Sequence, residues 1–324
     1  CKMKIGILGT ADIAFRRFLP ALGKYPAITY AGVASRKMEK TARFIEAYGG
    51  QGYPSYEALL EEESIDAVYV PLPPALHFEW GKKVLEAGKH LLMEKPFAVS
   101  REETESLLAL AEERGLAVHE NYMFLYHSQL AKIKELIRKE ELGELRLLRM
   151  SFGFPKRGGN DFRYRKALGG GALLDCGGYP VRLALELLGE TACVTQARLV
   201  QPEPYEVDLF GSAVLENETG LCAQISFGMD NAYQCQLEIW GSKATLIAPR
   251  IFTAGANFNP LLVLRTSSEE QCLELPPDDH FLHSIERFAE SVREREQQKE
   301  ISRRILQQAR LIAELKDKEE RICK

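Results

Sequence analysis

The sequence predicts an α/β fold in two parts: a parallel sheet with helices on both faces, followed by a part built on a largely antiparallel sheet. Three observations carry this. Through the first third, short apolar runs alternate with helical patterns, which is how a parallel sheet is written. Around Tyr122 the pattern changes, and between residues 194 and 247 strand-like runs follow one another with only turns between them, which indicates antiparallel pairing. The first strand also runs straight into the small-residue turn Gly9-Thr10-Ala11-Asp12-Ile13-Ala14, the context in which a dinucleotide-binding loop is expected. The division is expected at 1–122 and 123–324.

In the first part the apolar runs place strands at 4–8, 28–34, 67–70, 90–93 and 117–120. Helices are expected at 11–22, 38–48, 56–62 and 78–87, the last ended by Gly88 as a C-cap. Ser100 and Glu103 have the spacing of a capping box and open a helix running to Arg114. In the second part a helix is expected at 128–139 and an alternating strand at 145–152. Gly169-Gly170-Gly171 precedes a helix through Leu188, and strands follow at 194–200, 211–215, 221–227, 234–240 and 244–247. The last stretch, 280–316, reads as helical with a break near Gln298-Lys299. Ile301, Ile305, Ala309, Ile312 and Leu315 form its apolar face.

Composition narrows the function classes. The chain has 324 residues, is 45% apolar and 27% charged, and carries a formal charge of −4, which gives no footprint for nucleic acid or an anionic membrane. No apolar run approaches the ~20 residues that cross a bilayer, and the N-terminal residues show no secretory pattern. Cys1, Cys176, Cys193, Cys222, Cys235, Cys272 and Cys323 are scattered, with no C-x-x-C. That spacing argues against a disulfide framework and a zinc site, so no metal is expected, and reduced thiols point to the cytoplasm.

Four motifs carry chemistry. The turn at Gly9 has the G-x-G-x-x-G spacing with alanine in the second and third places. Gly9 permits the tight turn, Ala11 allows close backbone approach, and the following helix N-terminus offers N–H groups to phosphates. At the end of the second strand stands Ser35-Arg36, where an NAD site usually has a carboxylate. A hydroxyl and a guanidinium there suit a 2′-phosphate, so NADP(H) is favoured over NAD(H). Glu94-Lys95-Pro96 ends a buried strand, which puts a cation on a stiff bend where open α/β sheets bind ligands. Asp175 and Tyr179 stand four apart in the helix after the triple glycine and share a face. A tyrosine can exchange a proton with a substrate oxygen if a nearby ammonium lowers its pKa from about 10, and Lys95 could supply that charge. Spacing alone leaves Asp175 and Tyr179 equally readable as ordinary helix residues.

The chain resembles the Gfo/Idh/MocA family of oxidoreductases. The resemblance rests on Gly6-Ile7-Leu8-Gly9, Ser35-Arg36, Pro74 with His77, Glu94-Lys95-Pro96-Phe97 and Glu120-Asn121-Tyr122-Met123. Gly169-Gly170-Gly171-Ala172-Leu173-Leu174-Asp175 and Tyr179-Pro180 complete it. It implies a Rossmann domain followed by an α/β domain with a large, mostly antiparallel open sheet, which commonly joins subunits into homodimers or homotetramers. It also implies hydride transfer between a nicotinamide and a hydroxyl or ketone carbon of a sugar-like substrate. Lys95, Tyr179 and Asp175 then correspond to the catalytic residues, with the proton donor open between Tyr179 and Lys95 because many members have histidine at the tyrosine's place. Gly9, Thr10, Ala11, Asp12, Ile13, Ser35, Arg36, Pro71, His77, Glu94, Lys95, Asn121 and Arg163 correspond to the cofactor side. Glu94 is expected to hold the turn, and Arg163 either to reach cofactor or substrate or to form a surface salt bridge. Phe152-Gly153-Phe154-Pro155 resembles nucleotide-sugar ketoreductases. The alternatives are an NADP-dependent aldose or trans-dihydrodiol dehydrogenase and a non-catalytic cofactor-binding sensor.

Overall fold

The computed structural model describes residues 2–319, and Cys1 and Cys323 lie outside them. The backbone separates into two compact units. One holds the residues up to Asn121 together with Phe281–Leu306, and the other holds Tyr122–His280 and the residues from Gln307 onward. The sequence reading puts everything beyond 122 in the second part. Phe281–Leu306 groups with the first because Ile301 and Ile305 are buried in its core beside residues such as Leu107 and Ala111.

The first unit is a six-stranded parallel sheet. Its strands are β1 (Met3–Leu8), β2 (Ile28–Ala34), β3 (Gln51–Tyr53), β4 (Ala67–Val70), β5 (His90–Met93) and β6 (Val118–Glu120). Their order is β3-β2-β1-β4-β5-β6, the Rossmann order, which reverses between β1 and β4 and opens a ligand crevice there. Every residue of β4 and the Leu91–Met93 run of β5 are buried, since helices cover both faces of such a sheet. The helix Arg101–Arg114 starts as expected. Ser100 Oγ accepts from Glu103 N at 3.1 Å, and the Glu103 carboxylate accepts from Val99 N at 3.4 Å.

The second unit carries eight strands: β7 (Leu145–Gly153), β8 (Cys193–Val200), β9 (Phe210–Glu216), β10 (Cys222–Gly228), β11 (Gln234–Gly241), β12 (Thr245–Ala248), β13 (Leu261–Arg265) and β14 (Glu270–Glu274). They lie in the order β14-β13-β12-β11-β7-β10-β9-β8. Among the described residues β7 and β10 are the one parallel pair of these strands, and the other strand pairings are antiparallel. One face is apolar, with Leu148, Met150 and Phe152 of β7 beside Ala223, Ile225 and Phe227 of β10, and the helix Gly178–Leu188 covers it. The other face is polar: Arg149 donates to Glu238 at 2.9 Å, and the Ser151 and Ser226 hydroxyls meet at 2.8 Å. The C-terminal helices are His280–Arg293 and Arg295–Lys318, so the break falls at Glu294 and not at Gln298-Lys299.

Candidate active site

In the first unit the predicted cofactor residues converge on the carboxyl edge of the sheet. Gly9 turns out of β1 at φ 88°, its N–H donates to Ala34 O at 2.9 Å, and a Cβ there would come within 2.8 Å of Leu72. Only glycine fits this bend. It delivers the chain into a helical stretch, 12–22, in which Ala14 N already donates to Ala11 O at 3.1 Å. The preceding Asp12 and Ile13 N–H groups, which as the first of a helix have no intrahelical acceptor, suit a pyrophosphate. Residues Ala14–Phe18 of that stretch form a wider π-helical turn, a feature often found at functional sites. Thr10, Ala11 and Ile13 are half-buried around the turn. The Asp12 carboxylate is held by Arg43 at 3.0 Å, and that hydrogen bond keeps its pKa below the usual value. Ser35 is buried at the end of β2, with its Oγ accepting from Lys37 N at 3.1 Å, and Arg36 is exposed beside the Tyr56 hydroxyl. This donor set fits a dinucleotide bearing a 2′-phosphate. Pro71 follows β4 and is buried.

Lys95 stands on a braced turn. Glu94, buried at the end of β5, accepts from the Tyr69 hydroxyl at 2.5 Å and from Asn121 Nδ2 at 2.6 Å. Burial pushes the Glu94 carboxyl up, against the pull of these two donors and Lys95. The network continues: Ser284 Oγ donates to Asn121 Oδ1 at 2.8 Å and lies 2.9 Å from His119 Nε2. Glu120 accepts from Phe97 N at 2.8 Å, fixing the chain two residues past Lys95. His77 is fully buried, with Nδ1 2.6 Å from Pro96 O and Nε2 2.7 Å from Leu72 O. Both ring nitrogens therefore face backbone, and His77 ties the Lys95 turn to the loop after β4 instead of presenting a nitrogen to a ligand. Burial pushes its pKa down to about 4, with the Lys95 charge adding to the effect.

In the second unit Arg163, Asp161 and Asp175 form one cluster. Arg163 Nε donates to Asp175 at 2.9 Å and Nη1 to Asp161 at 3.2 Å. Burial opposes the Arg163 charge, but the two carboxylates outweigh it and hold the guanidinium protonated. The triple glycine makes this approach feasible. A Cβ on Gly170 would meet Arg163 O at 2.4 Å, and Gly171, at φ 115°, would meet Asp208 Oδ1 at 2.5 Å. Asp208 accepts from Leu173 N at 2.8 Å and opens the helical stretch. Asp175 lies in a π-helical turn, Leu173–Gly177, before the helix that carries Tyr179. Tyr179 sits in an aromatic box of Phe152, Tyr122, Phe124 and Phe252, with ring centroids 4.9, 5.3, 5.8 and 5.9 Å away.

Sequence reasoning missed Tyr69, Glu120, Ser284, Asp208 and the aromatic box as parts of the site. Tyr69 had a signal, because a hydroxyl inside a buried strand needs a partner. Ser284 and Asp208 had none, since their partners lie far away in sequence. No group of His, Cys, Asp and Glu suited to a metal occurs among the described residues.

This arrangement defines a dinucleotide-dependent oxidoreductase, and comparison with known proteins gives its family. Residues 3–122 match the Gfo/Idh/MocA oxidoreductase family with its NAD-binding Rossmann fold, and residues 130–247 match the family's C-terminal domain. The chain belongs to this family. It is 40% identical, over 96% of its length and 93% of the relative's, to a dTDP-3,4-didehydro-2,6-dideoxy-alpha-D-glucose 3-reductase of Actinomadura kijaniata. A D-xylose 1-dehydrogenase (NADP(+)) of Haloferax volcanii is 31% identical over 90% of this chain and 89% of its own. A solved 3-ketoreductase from Actinomadura kijaniata, in complex with NADP and TDP-benzene, superposes with a TM-score of 0.96 at 39% identity, covering 99% of both chains.

Proposed function

We propose that this protein is an NADPH-dependent reductase of the 3-keto group of a dTDP-linked dideoxysugar. The observation that carries the reading is the likeness to 3-ketoreductases over almost the whole of both chains. NADPH supplies the hydride; the chain's own residues bind, orient and handle the proton. Ser35 and Arg36 take the 2′-phosphate. Lys95 contacts the reacting oxygen, Tyr179 exchanges the proton, and Asp175, fixed by Arg163, positions the substrate. The solved 3-ketoreductase has been studied with one tyrosine changed to phenylalanine and with one lysine changed to alanine. That lysine and tyrosine stand as far apart in its sequence as Lys95 and Tyr179 do here, which supports assigning the pair. A cytoplasmic location and a homodimer or homotetramer through the second unit's sheet belong to the same reading. The oligomer is supported by Phe210, Trp240 and Leu261 exposed on β9, β11 and β13.

The test is NADPH oxidation with a dTDP-linked 3-keto-2,6-dideoxysugar, run beside NADP+ reduction with free D-xylose and with a trans-dihydrodiol. Turnover is expected in the first assay alone. Lys95→Ala is expected to cut it by roughly 10²–10⁴-fold. Turnover of the free sugar or the diol but not the nucleotide sugar would establish the dehydrogenase alternative. Undiminished activity in Lys95→Ala would remove the lysine from the chemistry.

A further inference from the structure

Next to the aromatic box, the second unit carries an arginine flanked by exposed rings and, among the described residues, without a counter-ion. The Arg250 guanidinium carbon lies 5.4 Å from the centroid of the Tyr233 ring and 5.0 Å from that of Phe258. Both rings are unusually open for aromatics, at 47% and 36% exposure. Nη2 donates to Thr253 O at 2.8 Å, Nε has no hydrogen-bond partner, and no carboxylate among the described residues pairs with the group. In a chain that is 27% charged, an arginine held in place by rings and left without an acid is available to an anion. The cluster is anchored. The Tyr233 hydroxyl meets Thr253 Oγ1 at 3.1 Å, and Ile251 N donates to Cys235 O at 2.9 Å. Phe252, between Ile251 and Thr253, meets the Tyr179 ring edge to face with 5.9 Å between centroids. The arginine therefore belongs to the wall that holds Tyr179.

A guanidinium binds phosphate oxygens in a fork, and a nucleobase stacks on an open ring for about 1–3 kcal/mol. The ligand that uses both at once is a nucleoside diphosphate. We infer that Tyr233, Arg250 and Phe258 hold the nucleoside diphosphate handle of the sugar substrate, with Arg250 on the diphosphate and an exposed ring on the base. This rests on the nucleotide-sugar reading above and adds to it the place where the handle is read.

Calorimetric titration with dTDP, which lacks the sugar, and separately with NADPH tests it in the wild type, Arg250→Ala and Tyr233→Ala. Thermal melts check that each variant is folded. The wild type is expected to bind both ligands. Each variant is expected to lose about ten-fold or more in dTDP affinity while keeping NADPH affinity, and Arg250→Lys is expected to recover part of the loss. If the wild type binds dTDP and folded variants bind it equally well, the handle is read elsewhere and the function stands. If the wild type binds NADPH but no dTDP, the nucleotide-sugar reading falls and this inference falls with it. If folded variants lose NADPH in parallel, the cluster serves the cofactor and the inference is overturned. Tyr233→Ala with a changed sedimentation mass and unchanged dTDP affinity would likewise overturn it, making the patch a subunit contact.

Discussion

A neutral His77 ring can donate only one hydrogen bond, yet both its nitrogens face carbonyl oxygens, at 2.6 and 2.7 Å. An imidazolium would satisfy both carbonyls, but as a fully buried cation near Lys95. Burial wins, and the pKa falls from 6.5 to about 4. Because the folded value is depressed, the unfolded chain binds more protons between these limits. The stability this gives is fully present above pH 6.5 and is lost as pH falls toward 4. A shift of this size predicts a loss of about 2 kcal/mol between pH 7 and pH 5 from this residue. Denaturant midpoints at the two pH values measure it. His77→Gln is expected to be less stable at pH 7, by about 1–3 kcal/mol for the lost brace, and to show a shallower pH slope than the wild type. An identical slope would mean that His77 does not carry the effect. Residue-level reading placed Lys95, Tyr179 and Asp175 on motifs, but not the brace, because neither Leu72 nor Pro96 marks itself as a carbonyl that a histidine will meet.

Elements were legible where local chemistry decides them. The bounds of β2, β4 and β5 follow from short apolar runs, and the helix Arg101–Arg114 follows from its capping box. That cap is testable. Ser100→Ala removes the acceptor for Glu103 N and is expected to cost about 1 kcal/mol in denaturant unfolding, leaving NADPH binding intact. No measurable loss would mean that packing alone holds the helix start. Other elements lacked a local signal. β3 is three residues among Gly49, Gly50 and Gly52, held by a backbone approach so close that a Cβ on Gly32 would lie 2.1 Å from Gln51 O. β14 is the exposed edge of its sheet, where burial does not enforce an apolar pattern. β13, paired on both sides, does carry an apolar run, Leu261-Leu262-Val263-Leu264, which the sequence reading passes over. The break at Glu294 has no glycine or proline to mark it. The π-helical turns at Ala14–Phe18 and Leu173–Gly177 are a matter of hydrogen-bond register, which residue propensity does not encode.

At the scale of the whole molecule, the first unit is discontinuous, and this sets what can fold alone. Residues 3–122 match the family's Rossmann domain, yet Ile301 and Ile305, 7% and 1% exposed, belong to the same buried cluster as Leu107, Ala111 and Val118. Burying two isoleucines is worth about 3–6 kcal/mol, a large share of the ~5–15 kcal/mol that holds a typical domain. Cutting the chain after residue 122 also deprives Asn121 of Ser284, which donates to it at 2.8 Å. Residues 1–122 alone are therefore expected to melt early and broadly by far-UV circular dichroism, to bind a hydrophobic dye, and to bind NADPH weakly. Joining 281–306 to that piece through a short Gly/Ser linker is expected to restore a cooperative melt and NADPH binding. The linker need not be long, because the Asn121–Ser284 hydrogen bond brings the two ends together. If 1–122 alone melts cooperatively at the same temperature as the joined version and binds NADPH equally well, the C-terminal segment is dispensable to this unit. Recovery only on joining would show that the chain must return from its second sheet before its cofactor unit is complete.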